Sequence, residues 1–138
     1  MNTINHLQEA LENKDHEAVE FALYDGVVDN ERYIDLLIAL LPADWHYKHE
    51  DIARYLQKLK SPKSIDVLTL VAISKFEYLD YDNSESLARK CIWALADIGT
   101  EKAKESLVTL SNFYERTIAA MAQERLDNWL NEIDRKNV

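Results

Sequence analysis

Two histidines three positions apart, His46 and His49, with Glu50 beside the second, are the residues of this chain best suited to metal chemistry. On one helical turn that spacing brings both imidazoles to one side. Imidazoles with a carboxylate can begin a zinc or iron site. Two histidines and one carboxylate do not complete one, and Trp45 and Tyr47 add only a phenol. No metal is expected, and His49→Ala should therefore leave stability nearly unchanged. Cys91, the single cysteine, sits among Ile92, Trp93 and Leu95 and reads as a small core residue rather than a nucleophile. The two glycines, Gly26 and Gly99, are too far apart for a phosphate-cradling loop. No Ser-His-Asp set stands out. No catalytic residue, metal ligand or cofactor is assigned, and the chain is not expected to be an enzyme.

His16-Glu17 and His49-Glu50 form two His-Glu dipeptides, each near an expected helix start. In this they faintly resemble deoxyhypusine hydroxylase, a di-iron enzyme built of HEAT repeats. That family uses four such dipeptides, and with two absent here the ligand set it implies is incomplete. A metal-dependent enzyme is the third reading of function.

The elements that carry these residues read as helices nearly end to end. Ile4, Leu7 and Leu11 mark a short first helix. Asp15 caps a second, which carries Ala18, Val19, Ala22 and Leu23 on one face and stops near Gly26. Asn30 caps a third, from Glu31 to about Leu41, ended by Pro42. A fourth runs from about Lys48 to Leu59. Ser61 and Pro62 open a fifth that continues through Ile65, Leu68, Ala72 and Phe76. Ser84 opens a sixth that reaches Ile98 before Gly99. Thr100 caps a seventh, to about Ser111, and an eighth spans roughly Glu115 to Ile133.

The strongest signal is repetition. Leu56, Leu59, Lys60, Ser61, Lys63 and Leu68 lie over Leu95, Ile98, Gly99, Thr100, Lys102 and Leu107 at a constant offset of 39. Each segment reads as a helix end, a turn, a hydroxyl cap and a second helix. Ile34-Asp35-Leu36-Leu37 echoes Ile65-Asp66-Val67-Leu68 more weakly. A two-helix unit near 40 residues long is the HEAT signature. The expected fold is all-α: a HEAT-like α-solenoid of stacked antiparallel helix pairs. It forms one domain over 1–138, with acidic capping helices in 1–47 and the clearest repeats in 48–138.

Net charge is -9, and residues 1–50 hold eleven acidic against three basic side chains. Nucleic-acid binding needs a basic footprint and is not expected. An acidic surface instead suits a basic protein partner. The polar N-terminus has no secretory or transit pattern, and no apolar run reaches the ~18 residues of a membrane span. The expected address is the cytoplasm.

The expected connections between helix pairs, 43–48, 77–83 and 112–115, lie on one edge of such a stack. Each holds two aromatics: Trp45 and Tyr47, Tyr78 and Tyr81, Phe113 and Tyr114. The middle connection and the helix start after it add Glu77, Asp80, Asp82 and Glu85. These ten residues are the candidate partner-binding site, since Tyr and Trp make rigid interface anchors. The competing expectation is that the rings fold back to plug the ends of the helical layers. Asp66, Thr69, Glu105 and Thr109 mark the exposed side of the second helices, the concave face.

The stretches from Leu41 to Ile52 and from Leu87 to Thr100 resemble a group of small bacterial HEAT-repeat proteins, and the likeness covers about residues 40–126. Members of that group are often taken as immunity proteins of polymorphic toxins. The resemblance implies a stoichiometric inhibitor of a cognate toxin, possibly a nuclease with a basic surface. A general HEAT adaptor in a protein assembly is the alternative.

Overall fold

The computed structural model of the protein describes residues 3–25, 28 and 30–129. Among these every regular element is helical. Helix α1 (Thr3–Asn13) buries Leu7 and Ala10. Lys14, at φ 51°, turns the chain through a left-handed conformation. The Asp15 carboxylate then accepts from the Ala18 amide at 3.2 Å and starts α2 (His16–Asp25). Asn30 caps in the same way, accepting from Arg32 N at 3.0 Å. A 3₁₀ turn over Glu31–Tyr33 leads into α3 (Ile34–Leu40). Helix α4 (His49–Leu59) follows a connection through Pro42 and Trp45. A second 3₁₀ turn, Pro62–Ser64, leads into α5 (Ile65–Ala72). A third, Glu77–Asp82, precedes α6 (Glu85–Ile98), which is followed by α7 (Glu101–Ser111) and α8 (Arg116–Asp127). The expected stop of the second helix at Gly26 and the run of the eighth to Ile133 lie outside the described residues.

Helix α6 is the hub. It packs against α4, α5, α7 and α8, while α5 also meets α7, and α1 meets α2 and α3. Its Leu87, Cys91, Ile92, Leu95 and Ala96 are fully buried, together with Ile52 and Leu56 of α4 and Ile118 and Ala122 of α8. Each buried leucine or isoleucine contributes roughly 1.5–3 kcal/mol.

The two segments that align at an offset of 39 adopt the same local structure. Lys60 (φ 53°, ψ 32°) and Gly99 (φ 72°, ψ 10°) both close their helices in the left-handed region. Ser61 then accepts from Lys63 N and Thr100 from Ala103 N, each at 3.2 Å. Leu56 and Leu95, and Leu68 and Leu107, are all fully buried. Side chains forty positions apart tie the neighbouring units together: Glu50 to Lys90 at 2.9 Å, Gln57 to Asp97 at 2.8 Å and Lys75 to Glu115 at 2.8 Å. Lys63 meets Asp35 at 3.7 Å, and Lys102 meets Asp66 at 3.3 Å, which repeats one ion pair across both sequence echoes. Because Lys60 holds a conformation that glycine adopts without steric cost, Lys60→Gly should stabilise the protein by about 0.5–1 kcal/mol. Denaturant unfolding checks this, and an unchanged midpoint would show that the turn holds no strain.

Two expectations about the fifth helix need correction. The fifth helix does not continue through Phe76; it ends at Ala72. The Ser74 hydroxyl bonds back to Leu70 O at 2.8 Å, and Phe76 is extended at φ -120°, ψ 132°. Its amide donates to Ser84 Oγ at 3.1 Å, a partner that helix could not offer. Phe76 is buried all the same, so its helical spacing from Ala72 imitates a longer helix. Thr69, expected to be exposed, is half-buried with its hydroxyl bonded to Ile65 O at 2.7 Å. Asp66, Glu105 and Thr109 are exposed as expected.

Candidate protein-binding edge

The three connections adjoin in order. The Tyr47 ring of the first meets the Tyr78 ring of the second edge-on, with centroids 5.2 Å apart. Lys75, two residues before the second, reaches Glu115 at the end of the third and also donates to Asn83 O at 3.1 Å. The sequence therefore named segments that the fold does bring side by side.

Within each connection the two aromatics divide their tasks. Trp45, Tyr78 and Phe113 pack against the core. Tyr47, Tyr81 and Tyr114 stand out into solvent, 52%, 77% and 82% exposed. Phe113 supports Tyr114 directly, with centroids 4.6 Å apart. Plug and exposed ring thus occur together, once per connection.

The four acids also separate. Glu77 and Asp80 are exposed and form no ion pair with the described residues. Asp82 helps to start α6: its carboxylate accepts from Ser86 N at 3.1 Å. The Ser86 side chain, followed by backbone amides at the helix start, holds its carboxyl below the usual range. Glu85 is half-buried in the first turn of α6. Glu77 and Asp80 are consequently the more available charges, and Asp82 has structural work as well.

Beneath this edge lies a polar network that sequence reading missed. His46 and His49 are both buried, with rings stacked 4.2 Å apart and 18° from parallel. His46 Nε2 donates to Leu40 O at 2.6 Å, and its Nδ1 accepts from Lys48 N at 3.0 Å. His49 Nε2 donates to Ala43 O. Its Nδ1 accepts the Tyr78 hydroxyl proton at 2.6 Å, while the same oxygen accepts from His49 N at 3.3 Å. His46 must be neutral, because its Nδ1 faces the Lys48 amide N–H, and a neutral His49 is satisfied on both nitrogens as well. Burial pushes the His46 pKa down, against its bond to Leu40 O. Burial and then His46 push His49 down to about 4, opposed by the bond to Ala43 O and by Asp44. Burial raises the Tyr78 phenol to about 12, so it remains a donor.

Phe76 closes the His49 side at 3.9 Å, Trp45 the His46 side at 5.4 Å, and Tyr47 extends the ring contacts to His16 of α2 at 5.3 Å. This aromatic knot fixes the backbone of the first two connections. It also overturns the expectation that His49→Ala is harmless. The missed signal is the Tyr78 partner, 29 residues away, which no local pattern reveals.

With both imidazoles engaged on both nitrogens, the pair offers no lone pair to a metal. Among the described residues no group of three or more His, Cys, Asp or Glu is placed to hold a metal ion. No helix among them is long and apolar enough to cross a membrane.

No family model, curated protein or solved structure matches the chain.

Further apolar exposure lies elsewhere. Phe21 and Tyr24 of α2 are 63% and 92% exposed, on the side opposite buried Val19, Ala22 and Leu23. Their three-residue spacing was legible as a second stripe on that helix. Leu70 of α5 and Val108 of α7 are also exposed, but Asp66 on that side is already paired with Lys102.

Proposed function

We propose that the chain is a HEAT-like α-solenoid that works by stoichiometric protein binding, without catalysis. The repeated left-handed turns, the caps 39 positions apart and the ties 40 positions apart support a stack of equivalent helix pairs. The observation that carries the binding role is the edge itself. Three adjoining connections each present one exposed tyrosine and one packed aromatic, and the middle one adds the acids Glu77 and Asp80. Rigid aromatics ringed by unpaired negative charge suit a partner with a basic surface.

The resemblance to immunity-type HEAT proteins gives the partner a class: a cognate bacterial toxin domain, met in the cytoplasm and blocked by occlusion. A basic nuclease fits the charge. The adaptor reading predicts the same edge with a different occupant.

The test is to capture the partner on the purified protein and identify it by mass spectrometry, then to measure binding kinetics on edge variants. Tyr81→Ala and Tyr114→Ala should each weaken binding by roughly 1–3 kcal/mol with the fold intact. Glu77→Lys with Asp80→Lys should mainly slow association and flatten its salt dependence. If all bind like the parent while reversal at Glu105 abolishes binding, the α5 and α7 face is the site.

A further inference from the structure

Between the first and second connections the edge holds an open cleft of about 750 Å³, lined by Asp44, Tyr47, Lys75, Phe76, Glu77 and Tyr78. Tyr47, Phe76 and Tyr78 give it an aromatic side, with Tyr47 and Tyr78 meeting edge-on. The carboxylates of Asp44 and Glu77 are exposed there and pair with no cation among the described residues. Lys75 also lines the cleft, but its ammonium is engaged by Glu115 and Asn83 O.

An aromatic side with unpaired carboxylates favours a cation that is flat and weakly hydrated. A guanidinium can lie against a ring while its N–H groups face carboxylate oxygens; an ammonium holds its water more tightly. We infer that this cleft receives an arginine side chain of the partner, its guanidinium against Tyr47 and Tyr78 and its N–H groups toward Asp44 and Glu77. This rests on the edge being the binding surface and names the chemistry that the edge selects. The knot of His46, His49 and Phe76 behind the cleft sets its shape before binding, which lowers the ordering cost of capture.

The probe is the peptide acetyl-Gly-Arg-Gly-Arg-Gly-amide, titrated into labelled full-length protein and followed by amide chemical shifts at fixed ionic strength. Saturable shifts are expected within 44–47 and 75–78. The lysine analogue should bind at least about threefold more weakly, and the uncharged citrulline analogue should not saturate. Asp44→Asn with Glu77→Gln should weaken the arginine peptide at least about fivefold. Glu17→Gln, an exposed acid on α2, should leave it unchanged. Equal binding of lysine or citrulline, or shifts elsewhere that the double variant leaves intact, would overturn the assignment. If the peptide fails but Tyr81→Ala still weakens the partner complex, the edge stands and the arginine cleft falls.

Discussion

Leu95→Asp should leave the protein without a cooperative unfolding transition at room temperature. Leu95 is fully buried near the C-terminal end of α6, the helix on which α4, α5, α7 and α8 all rest. The change removes roughly 1.5–3 kcal/mol of apolar burial and adds a carboxylate with no cation built to meet it. Such a group escapes only by protonation or by opening the core, at a cost of several kcal/mol. The sum rivals the entire stability of an ordinary domain, about 5–15 kcal/mol. Leu95→Ala isolates the cavity contribution and should cost about 2–5 kcal/mol while preserving the fold. Denaturant melts followed by circular dichroism check both. A stable, cooperative Leu95→Asp protein would mean that α6 is not the hub.

His49→Ala should be the second most damaging change, at about 2–4 kcal/mol. It deletes a fully buried ring stacked between His46 and Phe76, and it takes the side-chain donor from Ala43 O and the acceptor from the Tyr78 hydroxyl proton. The same ring makes stability depend on pH. Its folded pKa, about 4, lies below the ordinary value of 6.5, and that of His46 is lowered as well. The unfolded chain therefore binds protons that the native state refuses. The contribution is fully present above pH 6.5 and disappears as pH falls toward 4. For His49 it is on the order of 3 kcal/mol. His49→Phe keeps a ring in the stack and removes this titration, so its stability should vary less between pH 6.5 and 5 than the parent's. Parallel pH profiles would refute the neutral-pair description.

The parts of the fold that were legible are those written locally. Asp15, Asn30, Ser61 and Thr100 all cap where their side chains suit the first turn, because a cap needs only the amides two or three residues ahead. Gly99 was legible for the same reason, whereas Lys60 shows that alignment can mark a left-handed turn where residue type does not. The end of α5 was not legible, since no glycine or proline stands between Ala72 and Phe76. What ends it is Ser84, bonded to the Phe76 amide from eight residues on. Contact between consecutive connections was expected from helix register. Which ring of each pair would face solvent did not follow from it. That choice depends on long-range contacts such as Tyr78 with His49, to which periodicity is blind.

Cys91 has a consequence for how the protein can be watched. Burial raises its thiol pKa far above the ordinary range, and no other sulfhydryl competes with it. A thiol reagent reacts with thiolate, so it must wait until the middle of α6 leaves its four neighbours. Local fraying at α1 or along the tyrosine edge does not deliver that exposure. The chain thus carries a single chemical clock set inside its hub. When opening and closing outpace the reagent, labelling of the native protein counts the rare molecules in which the whole hub is open.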